Sequence, residues 1–264
     1  MDDLVIATSE ADATAAAAVE QHHAQMSGTL SLRVEALLAA AARHDAGAAA
    51  AARADLVAWC EQDLVPHALA EEKAMYPAAQ AKPEGRLLVE GMLAEHTVIT
   101  DLVRAVADSA DLVRAAASAK ALQVVFDSHL AKENELVLPL LVAASDVSVA
   151  RLLDGMHELL GGHGHEAEGS EAGHGGHSCT CGEEDVAGYP ELDARYVPHA
   201  IRHATIFGAL DGVQPGGGMI LVAPHDPLPL LAQIEQRAPG AFQVEYLERG
   251  PEAWRIAFVR RTAA

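Results

Sequence analysis

Basic charge, aromatic rings, cysteines and long apolar runs are all scarce in this chain, and each scarcity removes a class of function. Lysine and arginine number 18 against 38 aspartates and glutamates, a formal net charge of −20. Nucleic acid and anionic membrane both need a basic face, so neither is an expected partner. Aromatic residues make up 4 % of the 264 although apolar residues make up 50 %, and much of that is alanine. Such a composition favours close-packed helices over a β-sandwich. Three cysteines do not make a disulfide framework, and Cys60, beside Trp59, reads as a packed thiol. No apolar run approaches the roughly 18 to 20 residues that cross a bilayer. Met1-Asp2-Asp3 lacks the basic flank of a secretory signal, so a cytoplasmic location is expected.

What is present falls into three parts. Residues 1–160 read as helices: about Asp12 to Arg43, Ala48 to Tyr76 with an interruption at Pro66, a third from Pro83, about Ala116 to Leu138, and Val147 to Leu160. Residues 161–188 are rich in Gly, His, Glu and Ser, have no lysine or arginine, and read as a flexible linker. Residues 189–264 read as strand, helix, strand, helix and two strands. The strands are Glu191 to Tyr196, Met219 to Ala223, Phe242 to Leu247 and Ala253 to Val259; the helices run from Pro198 and from His225-Asp226-Pro227. The charge breaks near residue 188, since the last segment holds eight acids and seven bases. The expected architecture is an all-α up-down four-helix bundle, then a small βαβαββ two-layer α/β sandwich with both helices on one face.

The helices carry a repeated exception to their apolar faces. His67-x-x-x-Glu71 and His129-x-x-x-Glu133 each put an imidazole and a carboxylate one turn apart on one face. His23 lies on the stripe of Val19, Met26, Leu30, Val34 and Leu37, whereas His22 is rotated by about 100°. His96 lies among Leu88, Met92, Ile99 and Val103. Leu122, Val125, Leu136 and Leu140 mark the buried side around His129. A lone inward histidine is ordinarily a satisfied core residue; four helices making the same exception describe a metal pocket on the bundle axis.

Four phrases carry a family resemblance. Gln21-His22-His23-Ala24-Gln25-Met26, Pro66-His67-Ala68-Leu69-Ala70-Glu71-Glu72 with Tyr76-Pro77, Ala94-Glu95-His96, and His129-Leu130-Ala131-Lys132-Glu133 with Pro139 resemble the hemerythrin-like (HHE cation-binding) domain over residues 1–160. That resemblance implies a non-haem site of two iron ions, joined by an oxo or hydroxo bridge. The imidazoles of His23, His67, His96 and His129 would be terminal ligands, and Glu71 and Glu133 would bridge. Oxygen carriers of the family have a second histidine on the third helix. Here Met92 stands one turn before His96, so Glu72, Glu95, His22, Tyr76 or water are the candidates for a seventh ligand. The gap weighs against reversible O2 carriage more than against metal binding.

The linker holds His174, His177, Cys179 and Cys181, a candidate second site for Zn, Ni or Cu, with a plain tether as the alternative. The last segment resembles the TusA-like (SirA-like) fold in Leu192-Asp193-Ala194-Arg195 leading to Pro198, and in His225-Asp226-Pro227-Leu228-Pro229-Leu230. Sulfur carriers of that fold have a cysteine before the proline, where this chain has Val197. Arg195, His199, Arg202, His203 and His225 lie at strand ends or helix starts and form a candidate anion or protein-partner site. The expected function is binding or sensing of O2, NO or iron by a di-iron protein. The alternatives are a di-iron oxidoreductase of peroxidase or NO-reductase type, and a sulfur-handling or metal-relay adaptor using the linker.

Overall fold

Helix α1 (Glu10–Ala42) starts at Ser9, whose hydroxyl accepts from the Asp12 amide and so satisfies one of the first-turn donors. A computed structural model describes residues 9–159, 189–197 and 202–262 of the chain. Asp45 caps α2 (Ala46–Trp59) through the Ala48 amide. A single π-helical turn, Cys60–Leu64, leads without a break into α3 (Val65–Ala74). The expected interruption at Pro66 is therefore absorbed. Pro66 has no N–H, and the Val65 amide bonds to the Cys60 carbonyl, five residues back, which widens the helix by one residue. After α4 (Tyr76–Gln80) comes α5 (Gly85–Asp108), which buries Val89, Met92, His96, Ile99, Val103 and Val106 at three- and four-residue steps.

Helix α6 (Leu112–Lys132) begins one turn earlier than expected because Asp111 accepts from the Val113 and Arg114 amides. A second π-turn, Glu133–Val137, leads into α7 (Leu138–Val142), with the Leu138 amide on the Glu133 carbonyl and Pro139 next. This turn overturns one expectation. Leu136, expected inside, is 51 % exposed, and Val137 and Leu138 are buried instead, because the widened turn shifts the inward face. The last bundle element, α8 (Val149–Leu159), packs on α1 and α3.

The ring of neighbours α1, α2–α3, α5 and α6–α7 is the expected four-helix bundle. Its interior is two apolar clusters. One gathers Leu30, Leu37, Leu56, Leu64, Ile99, Leu122 and Phe126; the other gathers Val19, Met75, Tyr76, Met92, Val137 and Leu141. Each long helix passes from one cluster to the other at an inward histidine. No helix among the described residues is long and apolar enough to cross a membrane.

The small segment contains β1 (Glu191–Asp193), α9 (Arg202–Gly212), β2 (Gly218–Ala223), α10 (Leu228–Arg237), β3 (Phe242–Arg249) and β4 (Trp254–Arg260). Strand order is β1-β2-β4-β3, with β1 parallel to β2 and the other pairs antiparallel. Leu192, Met219, Leu221, Ile256 and Phe258 face Ile206, Leu210, Leu230 and Ile234 of the two helices, the expected two layers. β1 ends before Tyr196, because Asp193 accepts from the Arg195 amide and guanidinium and turns the chain.

Sequence reading offers only the 161–188 segment to join the two parts, but the structure adds a direct contact. Helix α9 crosses α1 with backbones touching. A Cβ on Gly28 would fall 2.3 Å from the Thr205 carbonyl oxygen, and one on Gly208 would fall 2.6 Å from Gln25 Cα. Leu32 of α1 belongs to the core of the small segment. On an adjoining face α1 is tied to α6, where Ser27 donates to Asp127 (2.7 Å) and Gln123 donates to Ser31 (2.8 Å).

The crossing and the seam can each be tested by substitution. Gly208→Val must push the helices apart and should cost about 1–3 kcal/mol, read as a lowered denaturant midpoint. Gly91→Ala on α5, with nothing within 4 Å of a new Cβ, should be neutral or stabilising. Equal midpoints for Gly208→Val and the parent protein would refute the crossing. Burial pushes the Asp127 carboxyl up to about 6, against Ser27 and Lys120, which lower it. The fold therefore holds a proton that the unfolded chain has released, and this group's contribution falls as pH rises from about 4 to 6. Asp127→Asn keeps the acceptor for Ser27 and should raise stability at pH 7 by on the order of 2 kcal/mol, with no gain at pH 3. A gain that is independent of pH would refute this.

Candidate metal centre

All six residues expected to form the pocket are buried: His23, His67, Glu71, His96, His129 and Glu133. Their placement depends on the helix register. A four-residue step overshoots a 3.6-residue turn by about 40°. His129, Glu133 and Val137 are spaced by two such steps, and the π-turn at Glu133–Val137 takes up the excess.

The groups meet in two triads whose ligand atoms lie within 4.8 Å of one another, His23–His67–Glu71 and Glu71–His96–His129. Glu71 belongs to both. Its Oε1 is 3.2 Å from His23 Nε2 and 2.9 Å from His67 Nε2, while its Oε2 is 3.7 Å from His96 Nε2. Glu133 spans the same gap, with Oε2 3.7 Å from His23 Nε2 and Oε1 3.6 Å from His129 Nε2. Tyr76 donates to Glu133 Oε1 at 2.6 Å, and its oxygen is 3.3 Å from Nε2 of both His96 and His129.

The outer nitrogens are held from behind. His96 Nδ1 donates to Glu72 (2.8 Å), His129 Nδ1 donates to Glu95 (3.0 Å), and His23 Nδ1 donates to the Asn134 carbonyl oxygen (2.7 Å). Lys132 holds the other oxygen of Glu95. Each partner is the sequence neighbour of a ligand candidate and reaches the imidazole of the next helix around the ring. On α1 the equivalent neighbour is His22, exposed, with its ring 4.9 Å from that of His67. Of the seventh-ligand candidates, Glu72 and Glu95 thus stand behind imidazoles, His22 lies beside His67, and Tyr76 alone reaches the pocket. Met92 is buried in the apolar cluster next to it. The support by Asn134 escaped sequence reading, although its place directly after Glu133 is the same signal that Glu72 and Glu95 give.

Burial works against a charged His23, yet Glu71 and Glu133 outweigh it and raise its pKa to about 9. Glu71 shows the converse: burial opposes ionisation, and His67 and His23 hold the carboxyl well below its usual range. Burial and the adjacent Glu133 keep the Tyr76 hydroxyl protonated far above its usual range.

A cation fits this donor set. With Nδ1–H of His96 and of His129 committed to carboxylates, their Nε2 lone pairs face each other at 3.0 Å unless a proton or metal lies between them. That spacing suits adjacent ligands on one ion with bonds of about 2.1 Å. Both nitrogens of His67 and Oε2 of Glu133 are buried without a hydrogen-bond partner. His67 Nε2 is close to Glu71 but not aligned to donate to it. Groups left this way inside a protein are costly unless something else satisfies them.

The other expected sites fare differently. His174, His177, Cys179 and Cys181 lie outside the described residues, as does His199. The described members of the candidate anion site have these surroundings. Arg195 is committed to Asp193, Arg202 to the Val197 carbonyl, and His203 and His225 are exposed. Cys60 is a buried free thiol, pushed up to about 12 by burial, as expected of a packing residue.

A family model described as hemerythrin HHE cation binding domain matches residues 14–169. A second, described as an uncharacterized conserved protein family, matches residues 191–260. No curated protein and no solved structure gives a significant match.

Tyr76→Phe removes the hydrogen bond to Glu133 Oε1, and Oε2 has no such bond already. The chelator-treated protein should lose about 1–3 kcal/mol. The metal-loaded protein should lose less, because a cation satisfies the same carboxylate. Thermal melts with and without chelator test this, and equal losses in both states would contradict it.

Proposed function

Because the chain belongs to the hemerythrin HHE cation-binding family, we propose that His23, His67, Glu71, His96, His129 and Glu133 hold two iron ions and that the protein binds or senses O2 or NO. The observation that carries this reading is the sharing of Glu71 between the two triads, with Glu133 spanning the same gap. One carboxylate touching both ends is what a pair of adjacent cations needs, since two bridging anions offset part of their mutual repulsion. Nitrogen and carboxylate donors together suit Fe(II) and Fe(III).

Each end receives two imidazoles and an oxygen from each glutamate. Four protein donors leave room for a small ligand on an ion that prefers six. When bound, iron supplies one-electron redox chemistry and affinity for diatomic molecules. The residues do the rest. Two apolar clusters flank the pocket and limit water, the Tyr76 hydroxyl offers a polar contact beside Glu133, and His23 must give up a proton when a cation replaces it.

Protein from iron-rich growth should contain two irons per chain by elemental analysis. Glu71→Ala or Glu133→Ala should remove both ions, because each glutamate reaches both ends. A single ion, or zinc in place of iron, would sink the di-iron assignment. Anaerobic ferrous protein exposed to NO or O2 should change its optical and paramagnetic-resonance spectra; no change with either gas would sink the sensing role while leaving metal binding intact.

A further inference from the structure

The two ends of the pocket are supported unequally. Behind His96 and His129 stand carboxylates, Glu72 at 2.8 Å and Glu95 at 3.0 Å. Behind His23 stands the neutral amide of Asn134 at 2.7 Å, and His67 Nδ1 is buried with no hydrogen-bond partner. A carboxylate that accepts from the outer nitrogen fixes the tautomer, aims the ring, and makes the inner nitrogen a stronger donor to a cation. An amide aims the ring without adding charge. Tyr76 adds a further polar oxygen at the carboxylate-backed end, 3.3 Å from both inner nitrogens.

We infer that Glu72 and Glu95 are positioning residues that make the two cation positions unequal, so that the His96–His129 end fills first and empties last. This rests on the two-ion reading and goes beyond it, since the glutamates shared by both ends imply no inequality. Two features set its size. Glu72 and Glu95 are each about 30 % exposed, so solvent screens part of their charge. Lys132 also holds Glu95 and offsets some of its effect, which makes Glu72 the stronger of the two. The His23–His67 end is then the exchangeable one. It fills only when metal is plentiful, and a protein in this state would report iron supply through its second ion.

The test is calorimetric titration of the metal-free full-length protein with Fe(II) under anaerobic conditions, repeated with Zn(II). The parent protein should take up two ions in two steps. Glu72→Gln keeps an acceptor for His96 Nδ1 and removes only the charge, so it should weaken the tighter step by about 10–100-fold and leave the weaker step unchanged. Glu95→Gln should act in the same direction with a smaller effect. Asn134→Asp is the converse and should tighten the weaker step, which a merely structural role for these residues would not produce. Melting of the metal-free variants controls for folding. Two steps of equal affinity in the parent, or two steps that Glu72→Gln and Asn134→Asp leave alone, would overturn the inequality and spare the two-ion reading. Uptake of a single ion by the parent would overturn both.

Discussion

Two carboxylates and four imidazoles are buried in one layer between two apolar clusters, and the cost of that layer governs the rest of the structure. An ionised carboxylate in a low-dielectric interior is several kcal/mol unfavourable unless it is paired and hydrogen-bonded. The metal-free protein meets part of this with protons. His23 donates from both nitrogens, to Asn134 and to Glu71, so it carries a positive charge beside the acid that needs one. Tyr76 serves Glu133 with a hydrogen bond from its neutral hydroxyl. His67 and one oxygen of Glu133 are left without hydrogen bonds. The layer is short of positive charge, and a cation that binds the fold and not the unfolded chain stabilises it by mass action.

Such a layer demands registry among four helices, and the backbone shows how it is kept. The two helices that each carry a histidine and a glutamate both contain a π-turn with a proline just beyond it, at Pro66 and at Pro139. In each, the residue before the proline makes the last wide hydrogen bond, and the proline then resumes the α-helix, where its missing N–H leaves a carbonyl unpaired. The extra residue rotates the next stretch of helix, which is why Leu136 is on the surface and Val137 inside. The other two histidine helices, α1 and α5, bring one ligand candidate each and have no such turn.

The six pocket residues were legible because each interrupts an apolar stripe at a fixed step, and a polar residue buried at matching points of four helices is costly unless a shared ligand satisfies all of them. The bundle and the order of strands and helices in the small segment were legible for the same reason, periodicity. The π-turns were not, since an inserted residue breaks the very period on which the reading depends; consecutive four-residue steps ahead of a proline were the available sign. The roles of Glu72, Glu95 and Asn134 were also hidden. A sequence gives the face of its own helix but not which neighbour that face meets. Only with the helices arranged in a ring does it emerge that the residue beside each ligand candidate serves the imidazole of the next helix.

The small segment bears on the pocket through α1. Gly28 and Gly208 bring two backbones into contact with no side chains between them to adjust, and the neighbouring Ser27 and Ser31 tie an adjoining face of α1 to α6. His23 is five residues from Gly28, about 7.5 Å along the same helix. A helix held on two faces so close to its ligand cannot slide or turn without breaking the seam with α6 or the crossing with α9. One of the four imidazoles is therefore fixed in part by contacts that lie outside the segment matched by the cation-binding family. The position of His23 is a property of the whole chain.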